Sequence, residues 1–314
     1  MTKPTPGGSI PPAKGGIEPQ QVEGAATVLA TVDGAPGYRA GATLSLWAET
    51  ARQLTRRRTQ FALGFLIVLP LVLVVAFLVG GAPDDDEGEG RGVSLIDLAT
   101  ASAANFTLFT LFASSTFLLV VVVALFCGDT VASEASWGSL RYLLAAPVPR
   151  GRLLRQKLLV ALGYSAFALV LLPTVALVAG TVAFGWSPLE TPLGEHISPW
   201  AAVGRIALAV GYIGLSLMIV GSLAFLLSVA TDAPLGAVGG AVMLYITSNI
   251  LDSVEALGEL RVVLPTRYNL AWLGAVSSPV QTEEMVKGAI SVLLYSTLFL
   301  ALAWRKFSRK DIVS

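Results

Sequence analysis

Residues 62–80 run for nineteen positions without a charged side chain, long enough for a helix to cross a hydrocarbon core of about 30 Å. Five further apolar runs follow, near 103–127, 158–184, 201–230, 235–251 and 288–304. In lipid the backbone has no water to bond to, and a helix satisfies its N–H and C=O groups internally. The chain is therefore expected to be an all-α integral membrane protein with about six transmembrane helices. Composition agrees, since 54% of the 314 residues are hydrophobic and 13% are charged, whereas soluble domains are about a quarter charged.

Orientation follows from where lysine and arginine fall. Seven precede the first run (Lys3, Lys14, Arg39, Arg52, Arg56, Arg57, Arg58). Five lie between the second and third runs (Arg141, Arg150, Arg152, Arg155, Lys157), and four follow the sixth (Arg305, Lys306, Arg309, Lys310). Placing both termini in the cytoplasm puts 16 of the 21 basic residues inside. The other five, Arg91, Arg205, Arg261, Arg267 and Lys287, then lie outside, with Arg205 near the outer end of the fourth run. The 21 basic residues are matched by 21 acidic ones, so no basic excess argues for nucleic acid.

Residues 1–40 are rich in Pro, Gly, Ala and Thr without a helical period, which predicts a disordered cytoplasmic tail. The transmembrane part then occupies 41–314. Within 43–60, Leu44, Leu46, Trp47, Ala51 and Leu54 alternate with Glu49, Arg52, Gln53 and the run Arg56 to Arg58. Such a segment would lie along the membrane surface, Trp47 at the headgroups and the arginines near anionic lipid. A solvated basic stop before a spanning helix fits the same residues. Asp84, Asp85, Asp86, Glu87 and Glu89 among glycines form an acidic flexible loop after the first span.

Few residues are available for chemistry. Cys127, the single cysteine, excludes an intramolecular disulfide framework and a cysteine zinc site, and reads as a small apolar residue at a helix end. His196, the single histidine, excludes a histidine metal cluster and reads as an exposed loop residue. No GxxxxGK[ST] phosphate loop occurs. The six runs carry no mid-membrane Asp, Glu, Lys or His with which to bind a driving ion. An enzyme is therefore not expected, and active transport would need a partner to supply energy.

The loop 128–157 is too patterned for a plain connector. Trp137, Leu140 and Leu144 sit at i, i+3 and i+7, giving a short helix one apolar face. Glu134 is expected near its start, where a helix dipole favours an acid, and Pro147 and Pro149 end it. Arg150, Arg152, Arg155 and Lys157 form a basic anchor for the third span. Such a helix suits docking into a groove on a soluble partner; a helix lying on lipid has the same period.

These residues resemble the signature region of type 2 ABC exporter permeases. Gly128, Glu134, Gly138-Ser139-Leu140, Leu143-Leu144, Pro147-Val148-Pro149-Arg150 and Lys157 stand where that family has its motif. The 43–60 segment looks like its connector helix, and the likeness runs from about residue 44 to the end. It implies that the loop couples to a separate cytoplasmic ABC ATPase subunit through Glu134, Gly138, Leu140, Arg141, Leu143 and Leu144. It further implies that ATP and magnesium bind in that subunit, this chain holding no cofactor, and that a second copy or a related permease completes the transporter in the cell membrane.

The resemblance also points to a translocation path along the second and fifth spans, through Asn105, Phe109, Phe112 and Ser115 and through Tyr245, Ser248 and Asn249. Packing aromatics and backbone-bonded hydroxyls account for the same residues. A lining of this kind suits an amphipathic cargo such as a drug, lipid or natural product. Gly236 and Gly240 give a GxxxG spacing for close helix contact. In the outer loop 252–287, Pro265 would start a short helix with Tyr268, Leu270 and Trp272 at the outer interface; an external re-entrant gate and an interfacial cover both fit. The rival functional reading is a non-transporting assembly factor or sensor that recruits a cytoplasmic partner through 128–157.

Overall fold

A computed structural model describes residues 46–80, 95–136, 150–191 and 194–309. The expected tail 1–40, the acidic stretch after residue 80 and residues 137–149 lie outside the described residues. Short α1 (Leu46–Leu54) precedes α2 (Arg57–Gly80), and the next described elements are α3 (Leu95–Thr100), α4 (Ala103–Ser115) and α5 (Leu118–Ser136). Then come α6 (Arg150–Phe184), a two-stranded antiparallel hairpin of β1 (Leu189–Glu190) and β2 (His196–Ile197), α7 (Pro199–Ala230) and α8 (Pro234–Ser253). Two 3-10 helices, Glu255–Val263 and Ala271–Ala275, lead to α9 (Glu283–Ser308). Helices α2, α5, α6, α7, α8 and α9 are long and apolar enough to cross a membrane, which makes this a multi-pass, all-α membrane protein.

Burial sorts these helices. The apolar windows of α5 and α7 are 78% and 61% buried, against 22% in α2, α8 and α9. Helices α5 and α7 therefore form the centre, packed on each other, with α8 against both and α9 against α7. Helix α6 carries α2 and α4 on its other side. On α2, Phe61, Phe65, Val68, Val72, Val75 and Val79 form an exposed apolar stripe, as a lipid-facing helix requires.

The second crossing differs from its expected form. The interval 103–127 is divided at Thr116 and Phe117, and of the two pieces α5 alone is long and apolar enough to cross. Hydroxyls crowd the interruption: Thr107, Thr110 and Ser115 donate to the carbonyls of Ala103, Phe106 and Phe112 at 2.8, 2.9 and 3.3 Å. Such bonds compete with the helical ladder and weaken it locally. Helix α5 then runs on to Ser136, α6 starts at Arg150 rather than near 158, and α2 starts at Arg57 rather than near 62. Hydropathy ends where charge begins, but backbone hydrogen bonding does not.

Local chemistry explains the element ends. Ser102 caps α4, accepting from the Asn105 amide at 3.1 Å. Pro199 and Pro234 occupy first-turn positions of α7 and α8. Gly185, at φ 82°, turns the chain out of α6, and its carbonyl accepts from the Ala103 amide at 3.1 Å. Beyond it Trp186 and Trp200 pack edge to face at 5.7 Å.

Helix lengths create a notch that the 255–282 segment fills. At 1.5 Å per residue α7 is about 48 Å long, but α8 is only about 30 Å. Both have an end at the short 231–233 link, so α7 rises about 18 Å beyond the end of α8. Here the expected helix at Pro265 is instead a turn, and Trp272 is buried rather than interfacial, 1% exposed next to α7. The small-residue contact of α8 is also shifted by one residue. Ala237 and Ala241 are fully buried, whereas Gly236 is exposed and Gly240 approaches Leu227.

Candidate functional site

Among the described residues, the strongest concentration of charge lies where α1 and the first turn of α2 meet the last turns of α5 and the start of α6. Asp129 and Glu134 on α5 and Lys157 on α6 are 2%, 1% and 4% exposed. Burying such groups is costly unless each is paired. Arg56 donates to Asp129 Oδ2 at 2.6 Å and to Ser133 Oγ at 3.2 Å, and Arg58 pairs with the second Asp129 oxygen. Lys157 Nζ donates to Glu134 Oε1 at 2.5 Å and stands 3.5 Å from Glu49 Oε1. Arg52 bridges Glu134 and Glu49, the latter at 3.0 Å. Burial lowers the Arg52 pKa, but the carboxylates of Glu134 and Glu49 outweigh it and raise the value overall.

Helix α1 is positioned for this by an inverted amphipathic pattern. Gln53 is buried and Glu49 and Thr50 are half-buried against the bundle, while Leu46, Trp47 and Leu54 are exposed. Tyr164 on α6 donates to the Thr50 carbonyl at 2.7 Å. The polar face thus packs on protein and the apolar face looks outward, the arrangement of a helix whose outer surroundings are lipid. The arginines expected near anionic lipid are partly spent otherwise: Arg52, Arg56 and Arg58 bind carboxylates, and Arg57 is exposed.

Glu134 is not at the first turn of a separate helix. It lies in the last turn of α5, where the dipole opposes an acid, and Arg52 and Lys157 supply the compensation. One turn earlier, Ser228 on α7 accepts from the Val131 and Ala132 amides, each at 3.0 Å. Gly128 touches α8 so closely that a Cβ would lie 2.9 Å from Val238 Cγ2 and 3.3 Å from Val238 backbone. The lower end of α5 is therefore held by α1, α2, α6, α7 and α8 together. Gly138, Leu140, Arg141, Leu143 and Leu144 lie outside the described residues.

The residues expected along a path fall into two separate groups. Asn105 holds the hairpin, donating to the Glu190 carbonyl at 2.8 Å and accepting from the Glu190 amide at 3.0 Å. Phe109 packs against Phe77 at 5.3 Å, Phe112 is 45% exposed, and Ser115 is buried. On α8, Ser248 bonds Thr266 at 2.7 Å and Asn249 accepts from Asn269 at 2.6 Å. Tyr245 is buried beside them, lining a cavity of about 10 Å³ with Tyr212, Ser216 and Tyr268, room for a single water.

The polar seam that joins α7 and α8 to the 255–282 segment is not legible as such in the sequence. Arg267 pairs with Asp252 at 3.3 Å, Tyr212 donates to the Tyr268 carbonyl at 2.9 Å, and Arg205 donates to the Val276 and Ser277 carbonyls at 3.0 and 2.9 Å. His196 is exposed on β2 and Cys127 is buried within α5. The acid–base partners of the ion-pair cluster were present in the sequence as isolated charges. Lys157 read as an anchor because its partner lies 23 residues away.

Among known proteins, the uncharacterized protein YhcI of Bacillus subtilis (strain 168) is 23% identical over 221 residues, 68% of this chain and 67% of that protein. Residues 94–313, from just before α3 to beyond α9, match a family described as a protein of unknown function. The match takes in Asp129, Glu134 and Lys157 of the ion-pair cluster together with the polar seam, and the chain belongs to that family, DUF2705.

Proposed function

We propose that the chain is the membrane-spanning subunit of an ATP-driven exporter of the ABC type, moving an amphipathic substrate out of the cytoplasm. Both termini lie in the cytoplasm, and the ion-pair cluster marks the cytoplasmic end. One observation carries the reading: Glu134 latches α1 to both helices that bracket residues 137–149. A partner pressing on that interval would move α1, α5 and α6 as one body, because separating them unpairs buried charge. In this mechanism Glu134 and Lys157 are positioning residues, and Gly138, Leu140, Arg141, Leu143 and Leu144 make the partner contact. Hydrolysis, with its ATP and magnesium, belongs to the partner.

The far-end seam gives the bundle something to open. Ser248, Asn249 and Tyr212 hold the 264–269 turn by hydrogen bonds. The α4 and α8 groups do not meet within one chain, so a path using both lies between this chain and a second copy or a relative. The rival reading, an assembly factor or sensor, uses the same latch without a path.

The test is affinity purification of the tagged full chain from its own host in mild detergent. An ABC ATPase that co-purifies, and whose activity is uncoupled by Leu140→Ala and Leu144→Ala, is the expected result. A partner with no nucleotide-binding fold, or full coupling in the double variant, refutes the exporter.

A further inference from the structure

Beside the first turn of α2, where α5 and α8 meet, an open groove of about 400 Å³ is lined by Arg58, Leu125, Pro234, Leu235 and Val238. Its size falls in the range of small-molecule sites, about 300–1,000 Å³. Four of the five lining residues are apolar, and Leu235 is 84% exposed. Among the described residues Arg58 is the one charged lining residue; its side chain is 46% exposed although it shares Asp129 with Arg56. Exposed Arg57 stands between these two in sequence. Arg56 and Arg58 together are set against one buried carboxylate, Asp129, so this pairing carries one positive charge in excess.

We propose that this groove binds an acyl chain of an anionic phospholipid, with the headgroup phosphate paired to Arg58. An apolar slot in a membrane protein takes an apolar occupant, and the excess of positive charge selects among lipids. A guanidinium matches the geometry of phosphate oxygens, and a basic residue near the membrane surface favours anionic headgroups. A zwitterionic lipid brings its own cation and gains less. The bound lipid braces α2, α5 and α8 at the level of Asp129, one turn from the Glu134 latch. This inference rests on the membrane-spanning arrangement and needs no ATPase, so it stands or falls separately from the exporter reading.

The experiment is native mass spectrometry of the full chain in neutral detergent with phosphatidylglycerol or phosphatidylcholine added. Wild type is expected to retain phosphatidylglycerol preferentially. Arg58→Gln is expected to weaken that retention about fivefold, the worth of one basic residue at an anionic surface, and Arg58→Lys to restore most of it. Leu235→Trp, a change at an exposed position, blocks the slot and removes both lipids. Each variant is read at equal folded fraction, from the shielding of buried Cys127. Equal retention of the two lipids by wild type, or unchanged phosphatidylglycerol in Arg58→Gln, overturns the proposal. So does displacement of the lipid by inorganic phosphate, or a lipid-free wild-type dimer whose second copy covers the groove.

Discussion

Neutralising Glu134 tests the ion-pair cluster most directly. Glu134 and Lys157 have side chains 2% and 5% exposed and lie 2.5 Å apart, so either charge alone is a buried, undercompensated ion. Breaking such a pair costs about 3–5 kcal/mol. In Glu134→Gln, Lys157 keeps Glu49 at 3.5 Å, which places the loss near the lower end, about 3 kcal/mol. In Lys157→Met, Glu134 keeps Arg52, whose side chain is 41% exposed and screened by solvent, and a similar loss of about 3 kcal/mol follows. The double variant removes both charges and should fall short of the sum by about 2 kcal/mol. Cys127 is the only cysteine and is fully buried, so a thiol-reactive fluorophore reports unfolding in detergent. At about 2–4 °C per kcal/mol, each single variant should melt about 6–12 °C below wild type. Singles and double that add within about 0.5 kcal/mol would refute the pairing.

Two further outcomes follow from packing and hydrogen bonding. A Cβ on Gly288 would lie 1.9 Å from Tyr212 Oη and 2.7 Å from Tyr268 Cβ, so Gly288→Ala should cost about 1–3 kcal/mol in the same melt. Gly64→Ala, with nothing within 4 Å of its Cβ, should stay within about 0.5 kcal/mol; equal effects would contradict the packing of the far end. Asn105→Ala leaves the Glu190 amide and carbonyl without their partner, at about 1–3 kcal/mol. Hydrogen exchange should rise across 186–197 while α5 and α7 stay protected; an unchanged hairpin would remove Asn105 from that role.

The part of the fold that hydropathy determines was legible because each spanning helix satisfies its own backbone and carries its own apolar length. All six expected crossings have a helix that is long and apolar enough, and α1 lies inside the expected 43–60 segment. Boundaries read from charge were displaced where a charged residue finds a partner. Lys157 appeared to end a loop, yet it is buried within α6, because Glu134 waits on α5. The Thr116 interruption was equally hidden: hydroxyls in a span reveal their backbone bonds only once rotamers are set.

Sequence alone determined that this chain folds as about six helices in a membrane, since length, hydropathy and charge are properties of each segment taken singly. Which charges meet, which face of α8 packs, and where Tyr245 and Asn249 spend their polar atoms are properties of pairs of segments. Only the tertiary structure decides those, because a buried ion or amide is stable just where a distant part of the chain supplies its partner. The same residues that hydropathy could describe only as interruptions, Arg56, Asp129, Glu134 and Lys157, are what fasten one end of the bundle together.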